Sequence, residues 1–581
     1  MYMPYFLSRK DSKMKKIKMY EVREIQDLRD MLRQSVKIFN EKTAFMIKKN
    51  RGEEYTNISY KAYGADVDAF GTALLHLAGK GSRVAILAET RYEWYVSYLA
   101  TTNGTGIVVP IDKELPSNEI ASLLNRSYAN VIVYSSSKQP VIDEIKEKIT
   151  TVKHFICMDK PEGKKKTDYF WSLIDQGKKL LEKGNRDFID AEIDAEGMTI
   201  LLFTSGTTDK SKAVMLSQKN ICANLQGMCQ MVYIDPSDVF LSVLPIHHTY
   251  ECTCGFLCQI YRGSTIAQCE GLRYITQNLK ESKATVLLVV PLMLEMFHRA
   301  IMKKANADKK IARKFKFGLA ITAALRAIGI DKRRKIFHAI HEGFGGKLRM
   351  LISGGAGIDP RILSDMQKIG FLCLQGYGLT ECAPILALNR DVDFNDRAAG
   401  LPLPGVDIKI IDKDENGIGE IIGKGPNVML GYYENPEATA EAIDSDGYFH
   451  TGDLGYIDAN GFVIITGRKK NVIISKNGKN IFPEEIEGLL ARSPYIAESL
   501  VTGEDDNKDD IIVTATIFPN MDAINEKFGE NPDPDSIQAL LDAECRKINE
   551  QLVSYKQIRK VVYRDKEFEK TTSKKIIRNY K

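Results

Sequence analysis

From Leu202 to Val214 the chain reads Leu-Phe-Thr-Ser-Gly-Thr-Thr-Asp-Lys-Ser-Lys-Ala-Val. An apolar run ends in five small residues, Thr204, Ser205, Gly206, Thr207 and Thr208, with lysines at 210 and 212. Small side chains let backbone N–H groups approach an anion, hydroxyls add donors, and a lysine supplies charge. The stretch has the composition of a phosphate cradle. Its plainer reading is a polar loop between a strand and a helix. It is not the P-loop, which needs Gly-x-x-x-x-Gly-Lys-Ser/Thr, because Ser211 stands five positions after Gly206.

Five further groups could carry chemistry. In Gln375-Gly376-Tyr377-Gly378-Leu379-Thr380-Glu381, glycines permit close approach, a tyrosine face can stack on a purine, Thr380 can donate to a phosphate and Glu381 can hold Mg²⁺. Ser353-Gly354-Gly355-Ala356 follows an apolar run, and strand ends are where α/β folds bind ligands. In Tyr448 to Gly455, Asp453 could accept hydrogen bonds from ribose hydroxyls, although Asp in a Gly-rich turn is commonly a turn former. His247 and His248 follow Leu244-Pro245-Ile246. Near the C-terminus stands Glu569-Lys570-Thr571-Thr572-Ser573-Lys574-Lys575-Ile576-Ile577-Arg578, whose plain reading is a solvated basic tail.

These residues need a scaffold. A chain of 581 residues is too long for one core and predicts roughly two to four domains. Its 44% hydrophobic and 27% charged content is that of a soluble globular protein. A net charge of +5, from 81 basic and 76 acidic residues, does not argue for a nucleic-acid partner. Ten cysteines are too few for a disulfide scaffold and point to a reducing, cytoplasmic setting. Cys252, Cys254, Cys258 and Cys269 lack zinc-site spacing, and the first three read as small buried hydrophobes. Neither a signal peptide nor a membrane span is expected.

Apolar runs at Arg83–Ala88, Ile107–Pro110, Val131–Tyr134, Thr199–Phe203, Val239–Pro245, Val286–Val290 and Leu348–Ser353 alternate with helical patterns, which predicts parallel βαβ units. The run Ala284–Met296, broken by Pro291, reads as a buried strand and a turn. From 308 to 335, ten basic residues oppose Asp308 and Asp331, with apolar residues between them. Such a helix can lie on an anionic membrane; the alternative is a solvated helix pair packed on the protein body. Residues 391–466 turn β-like, with hairpin chemistry at Asp412–Gly417 and Asp458–Gly461. A helix is expected to start at Pro483-Glu484-Glu485, and another covers about Asp535 to Leu552.

Taken in this order, Thr-Ser-Gly-Thr-Thr, Tyr-Gly-Leu-Thr-Glu, Thr-Gly-Asp and Gly-Arg-Lys-Lys resemble the adenylate-forming superfamily, which includes acyl-CoA synthetases, firefly luciferases and peptide-synthetase adenylation domains. The resemblance spans nearly the whole chain. It implies an α/β fold: a large N-terminal domain of βαβ subdomains with a small β-barrel-like part (1–467), a hinge at 468–471, and a small mobile α+β domain (472–581).

The implied reaction has two steps, with ATP, Mg²⁺ and CoA as cofactors or co-substrates. A carboxylate attacks the α-phosphate of ATP, giving acyl-adenylate and pyrophosphate; a thiol then takes the acyl group. On this likeness Thr204 to Thr208 and Lys212 cradle the β- and γ-phosphates. Gly355, Ala356, Gln375, Gly376 and Tyr377 surround adenine, Thr380 touches the α-phosphate, and Glu381 holds the metal. Asp453 and Arg468 hold the ribose, His248 lines the acyl site, Lys575 bridges the carboxylate and ATP, and Lys470 is the hinge.

The chain departs from the family pattern at Asp209, Ser211 and Ala213, in place of Gly, Pro and Gly, and at Glu569 and Lys574, in place of Pro and Gly. The expected substrate is a medium- or long-chain fatty acid. Alternatives are another acid, an acyl carrier protein as acceptor, or a non-catalytic nucleotide- or lipid-binding relative. Localisation is expected to be cytoplasmic, with peripheral membrane contact through 308–335; no oligomeric state follows from the sequence.

Overall fold

A computed structural model describes residues 17–160, 169–204, 211–475, 479–505, 511–530, 532–570 and 576–578. The chain divides into two compact units. The first runs to Ile408 and includes Gly423–Phe449; the second comprises Lys409–Ile422 and His450 onward.

Two large sheets organise the first unit. The seven-stranded sheet is ordered Gly431–Tyr432, Lys212–Ser217, Met198–Thr204, Gly106–Pro110, Ser82–Leu87, Val131–Tyr134, His154–Cys157. The nine-stranded sheet runs Leu401–Pro402, Ile385–Leu388, Leu372–Gly378, Met350–Ser353, Val286–Val289, Val239–Ser242, Thr265–Gln268, Thr43–Ile47, Thr56–Ser59. Their central strands pair in parallel. That is why they read as continuous apolar runs: Val84 to Leu87 and Val131 to Val133 are all fully buried, as strands covered on both faces must be. The parallel strands expected from the sequence lie where it places them, with ends shifted by up to three residues.

Pro291 differs from expectation. It is the first residue of the helix Pro291–Ala305 and not part of a turn, because a proline costs nothing at a position whose N–H has no intrahelical partner. Lys309–Ala327 is a helix, capped by the Asp308 carboxylate on the N–H groups of Lys310 and Ile311. Phe315 and Leu319 pack on the core beneath, and Phe315 meets Phe337 at 5.4 Å. The helix is therefore seated on the body, while Phe317 and Ile328 stay 67% and 70% exposed among its lysines and arginines. No helix among the described residues is long and apolar enough to cross a membrane.

The second unit begins with antiparallel strands. The sheet runs Asp407–Ile411, Gly419–Lys424, Phe449–Ile457, Val463–Arg468. Beyond it, Ile496–Asp505, Ile511–Pro519 and Ile558–Tyr563 form a three-stranded sheet. The helices Pro483–Leu490 and Pro534–Asn549 cover it through Ile486, Leu490, Leu541 and Ile548. Both begin with proline, and Asp533 caps the second by accepting from the Ser536 N–H. This is a small α+β body with its own core.

Candidate active site

The strand Met198–Thr204 turns back into Lys212–Ser217, with Thr204 opposite Lys212. The described residues on either side of the small-residue stretch are thus two antiparallel strands, not a strand and a helix as the plainer reading had it. Ser205, Gly206, Thr207, Thr208 and Asp209 lie outside the described residues. At its far edge Arg126 donates to the Ser211 hydroxyl (3.1 Å) and carbonyl (2.8 Å) and sits over the Phe203 ring. The serine that replaces the family's proline is thereby fixed by a cation.

Lys212 Nζ lies 4.6 Å from the centroid of the Tyr432 ring, a cation–π distance. The Tyr432 hydroxyl donates to Glu381 Oε1 at 3.0 Å. One tyrosine thus links the loop lysine to the Glu381 carboxylate. Burial, and then the Glu381 charge, hold its phenol above its ordinary pKa, so it stays a donor at working pH. Sequence reasoning missed Tyr432; the one available signal was a glycine-flanked tyrosine pair at 431–433.

Glu381 stands on the tip joining Leu372–Gly378 to Ile385–Leu388. Two buried amides hold this tip from beneath. Asn224 and Asn427 each donate to the carbonyls of Cys382 and Ile385, at 2.8–3.2 Å. A Cβ on Gly378 would lie 1.9 Å from the Pro384 carbonyl oxygen, so only glycine fits the close hairpin.

Gln375 pairs with Ser353 across parallel strands. Gly355 and Ala356 therefore leave the carboxyl end of one strand beside Gln375, Gly376 and Tyr377 on the next. Gly355 has φ +87° and open space around its Cα. In open α/β sheets the crevice beyond the carboxyl ends is where ligands bind. Gln375 is held by its amide on the Asp396 carbonyl (2.9 Å), and Tyr377 is buried.

His247 and His248 come after the strand Val239–Ser242 of this sheet. Their rings lie 4.2 Å apart, and His247 Nε2 is 3.4 Å from Asp112, a residue just beyond the strand Gly106–Pro110 of the other sheet. The next segment, Tyr250–Leu257, is a π-helix and almost wholly buried. It carries Glu251, whose carboxyl accepts from Ser242 Oγ at 2.5 Å.

Burial pushes the Glu251 carboxyl from 4.5 up to about 8. A folded-state pKa above the unfolded one gives stability that is complete below pH 4.5 and lost as pH rises to about 8, at about 1.4 kcal/mol per unit. Glu251→Gln, which cannot ionise, should remove that loss. Urea unfolding at pH 6 and pH 8.5 should show wild type losing stability relative to the variant; parallel behaviour would refute the assignment.

In the second unit Asp453 and Arg468 face each other across antiparallel strands, with Arg468 Nε 2.9 Å from Asp453 Oδ1. Asp453 is buried and Arg468 half-exposed. Beside them, Lys469 pairs with Glu420 at 2.7 Å. Lys470 lies in the single turn Lys469–Asn471; burial and then the Arg468 and Arg578 charges lower its pKa. Lys575 lies outside the described residues, as do Lys574 and Gly478. Arg578, three residues on, is held by Glu487 and lies 3.7 Å from Glu484. Glu420, Glu484 and Glu487 had no sequence signal, since lone carboxylates in helices and strands look like solvated charges.

A family model described as AMP-binding enzyme matches residues 32–433, and a second, AMP-binding enzyme C-terminal domain, matches 470–580. The chain belongs to the AMP-binding enzyme family. It is an AMP-forming acid–thiol ligase. The long-chain-fatty-acid–CoA ligase 1 of Cavia porcellus is 29% identical over 519 residues, covering 83% of this chain and 72% of that protein. The long-chain-fatty-acid–CoA ligase 5 of Rattus norvegicus is 30% identical over 492 residues, covering 78% and 70%. Among solved structures, the anthranilate CoA ligase AuaEII in complex with anthranoyl-AMP superposes with a TM-score of 0.73 at 19% identity, covering 95% of each chain.

Within this AMP-binding enzyme, the Lys212–Tyr432–Glu381 chain offers a test of its own. Tyr432→Phe removes the hydroxyl that steadies Glu381 and keeps the ring beneath Lys212. A hydrogen bond to a carboxylate is worth about 1.5–3 kcal/mol, so kcat for acid-dependent pyrophosphate release should fall about tenfold or more, with KM for ATP little changed. Unchanged kcat would remove Tyr432 from the site.

Proposed function

We propose that this protein activates a medium- or long-chain fatty acid with MgATP as an acyl-adenylate and passes the acyl group to CoA. What carries the fatty-acid reading is that relatives near 30% identity, matched over about four-fifths of the chain, are long-chain-fatty-acid–CoA ligases.

In the first step a carboxylate oxygen attacks the α-phosphorus and pyrophosphate leaves. Two anions must meet, so positive charge and N–H donors are the main requirement. Thr204 and Lys212, with Ser205 to Thr208, hold the leaving pyrophosphate. Gly355, Ala356, Gln375, Gly376 and Tyr377 receive adenine, and Thr380 donates to the α-phosphate. The Asp453–Arg468 pair takes the ribose, and Lys575 screens carboxylate from phosphate. In the second step the CoA sulfur attacks the acyl carbonyl and AMP leaves. His248 lines the acyl path.

Glu381 fits Mg²⁺. It offers carboxylate oxygens steadied by Tyr432, and no cluster of three or more metal-ligating side chains occurs among the described residues. That suits a cation bound through one carboxylate, water and substrate phosphates. The metal would supply charge neutralisation on the phosphates.

The hinge is assigned to 468–471, between an N-terminal part (1–467) and a mobile C-terminal part (472–581). All ten cysteines are free thiols, which supports a reducing, cytoplasmic location. The exposed Phe317 on a basic helix, with Ile328 just past its C-terminus, supports peripheral contact with an anionic membrane.

A second reading, another acid such as an aryl one, draws on the fold shared with the anthranilate ligase. AMP formation across a series of fatty acids of rising chain length, with aryl and dicarboxylic acids alongside, decides between them. The proposal expects turnover to peak at a fatty acid and to need CoA. A peak at an aryl acid, or activity only with carrier protein, would replace it; no acid-dependent AMP formation would leave a non-catalytic relative.

A further inference from the structure

The strand Met350–Ser353 delivers Gly355 from its carboxyl end. At its amino end lies a second concentration of charge. Lys347 stands just before this strand, and Lys283 just before its parallel neighbour Val286–Val289. With Arg334, Lys335, His338 and His341 they line a cavity of about 420 Å³. The length of a strand thus separates it from the residues assigned to adenylation.

The cavity is built asymmetrically. Four fixed cations face one carboxylate, Glu342, which lies 3.4 Å from His338 Nε2. Among the described residues no carboxylate is within ion-pair distance of Lys283, Arg334, Lys335 or Lys347. Arg334 is instead fixed by backbone, donating to the carbonyls of Leu348 (2.6 Å) and Gly346 (2.9 Å). Its guanidinium is thus oriented without being neutralised. Gathering unpaired like charges in one concavity costs free energy that a bound anion would offset.

His341 supplies an independent observation. It is 3% exposed, and its Nε2 donates to the Ile369 carbonyl at 2.9 Å. Burial lowers its pKa to about 4, so the ring is neutral and Nδ1 is an acceptor. That nitrogen is buried with no partner among the described residues, and buried polar atoms are rarely left so. The cavity wall therefore combines several cations with a buried, neutral imidazole. A phosphate monoester has the matching feature, a compact dianionic head for the cations.

We propose that the cavity of Lys283, Arg334, Lys335, His341 and Lys347 binds a phosphate monoester, remote from the adenylation residues. The same chemistry is offered by a soluble phosphorylated metabolite and by the head of a phosphorylated lipid. Arg334 and Lys335 close the same basic block that begins at Lys309.

The test uses the full chain with AMP present to fill the nucleotide site. Inorganic phosphate and glycerol 3-phosphate are titrated by calorimetry. Vesicles of neutral lipid, with and without phosphatidylinositol phosphate, are tested by co-sedimentation. Wild type should bind at least one probe saturably, and Lys283→Gln/Lys347→Gln should bind it at least tenfold more weakly with acid-dependent AMP formation unchanged. If the double variant does not fold, Lys335→Gln at an exposed side chain carries the same comparison. Binding to phosphorylated vesicles alone would assign the lipid head as the source. No binding of any probe, or equal binding by the variants, would overturn the site. Neither result depends on which acid the enzyme activates.

Discussion

Lys575→Ala should lose acid-dependent pyrophosphate release by about two to three orders of magnitude, the range for removing one group that stabilises transition-state charge. Thioester formation from a preformed acyl-adenylate should stay near wild type. In the first step a carboxylate approaches a polyanion, and an ammonium between them offsets a repulsion that strengthens as water is excluded. In the second step the attacking thiol meets a neutral carbonyl, and that requirement is gone. A frayed basic tail could not do this; the described residues nearest to Lys575 in the chain, Lys570 and Ile576 to Arg578, are held in place. Lys570 bridges to Ile576 and donates to Glu567 at 2.9 Å, the Ile577 N–H donates to the Glu569 carbonyl at 2.8 Å, and Arg578 pairs with Glu487. Measuring pyrophosphate release and adenylate consumption separately checks the assignment; full pyrophosphate release by the variant would exclude Lys575 from the first step.

Lys470→Pro should do the reverse, keeping adenylation and losing thioester formation. Proline locks φ near −65° and drives the preceding residue out of the helical region. Lys470 is the middle residue of a single helical turn directly after Arg468, so the substitution acts where a backbone rotation would be absorbed. Hinge residues are few, and they sit at element ends. Lys470→Ala separates the two causes: it removes the ammonium but leaves the torsion free, and should retain both half-reactions. Survival of thioester formation in Lys470→Pro would show that no rotation at 470 is needed.

Much of the fold was legible in the amino-acid order. Buried parallel strands announce themselves as Val/Ile/Leu runs because both faces are covered, and Val84–Leu87 or Val286–Val289 needed no tertiary knowledge. The helix start at Pro483 was readable because proline and acids suit a first turn. Pro291 was not, because proline serves turns and helix starts alike, and the fourteen helical residues after it settle which. The basic block was ambiguous for a similar reason. Its residues form an amphipathic helix, but whether the apolar stripe meets protein or lipid depends on neighbours. Phe315 faces Phe337 while Phe317 faces outward.

The sequence by itself determined the reaction class through its resemblance to the adenylate-forming superfamily, because the motifs that carry the resemblance are contiguous and survive as local strings. Only the tertiary structure decided who supports them. Tyr432 reaches Glu381 from 51 residues away, Asn224 reaches Ile385 from 161, and His247 meets Asp112 from another sheet. Such partners share a site through folding, not through spacing along the chain, and carry no pattern that a single sequence displays. The cavity of Lys283, Arg334 and Lys347 belongs to the same class: its charges become a site only where two strand starts and a helix converge.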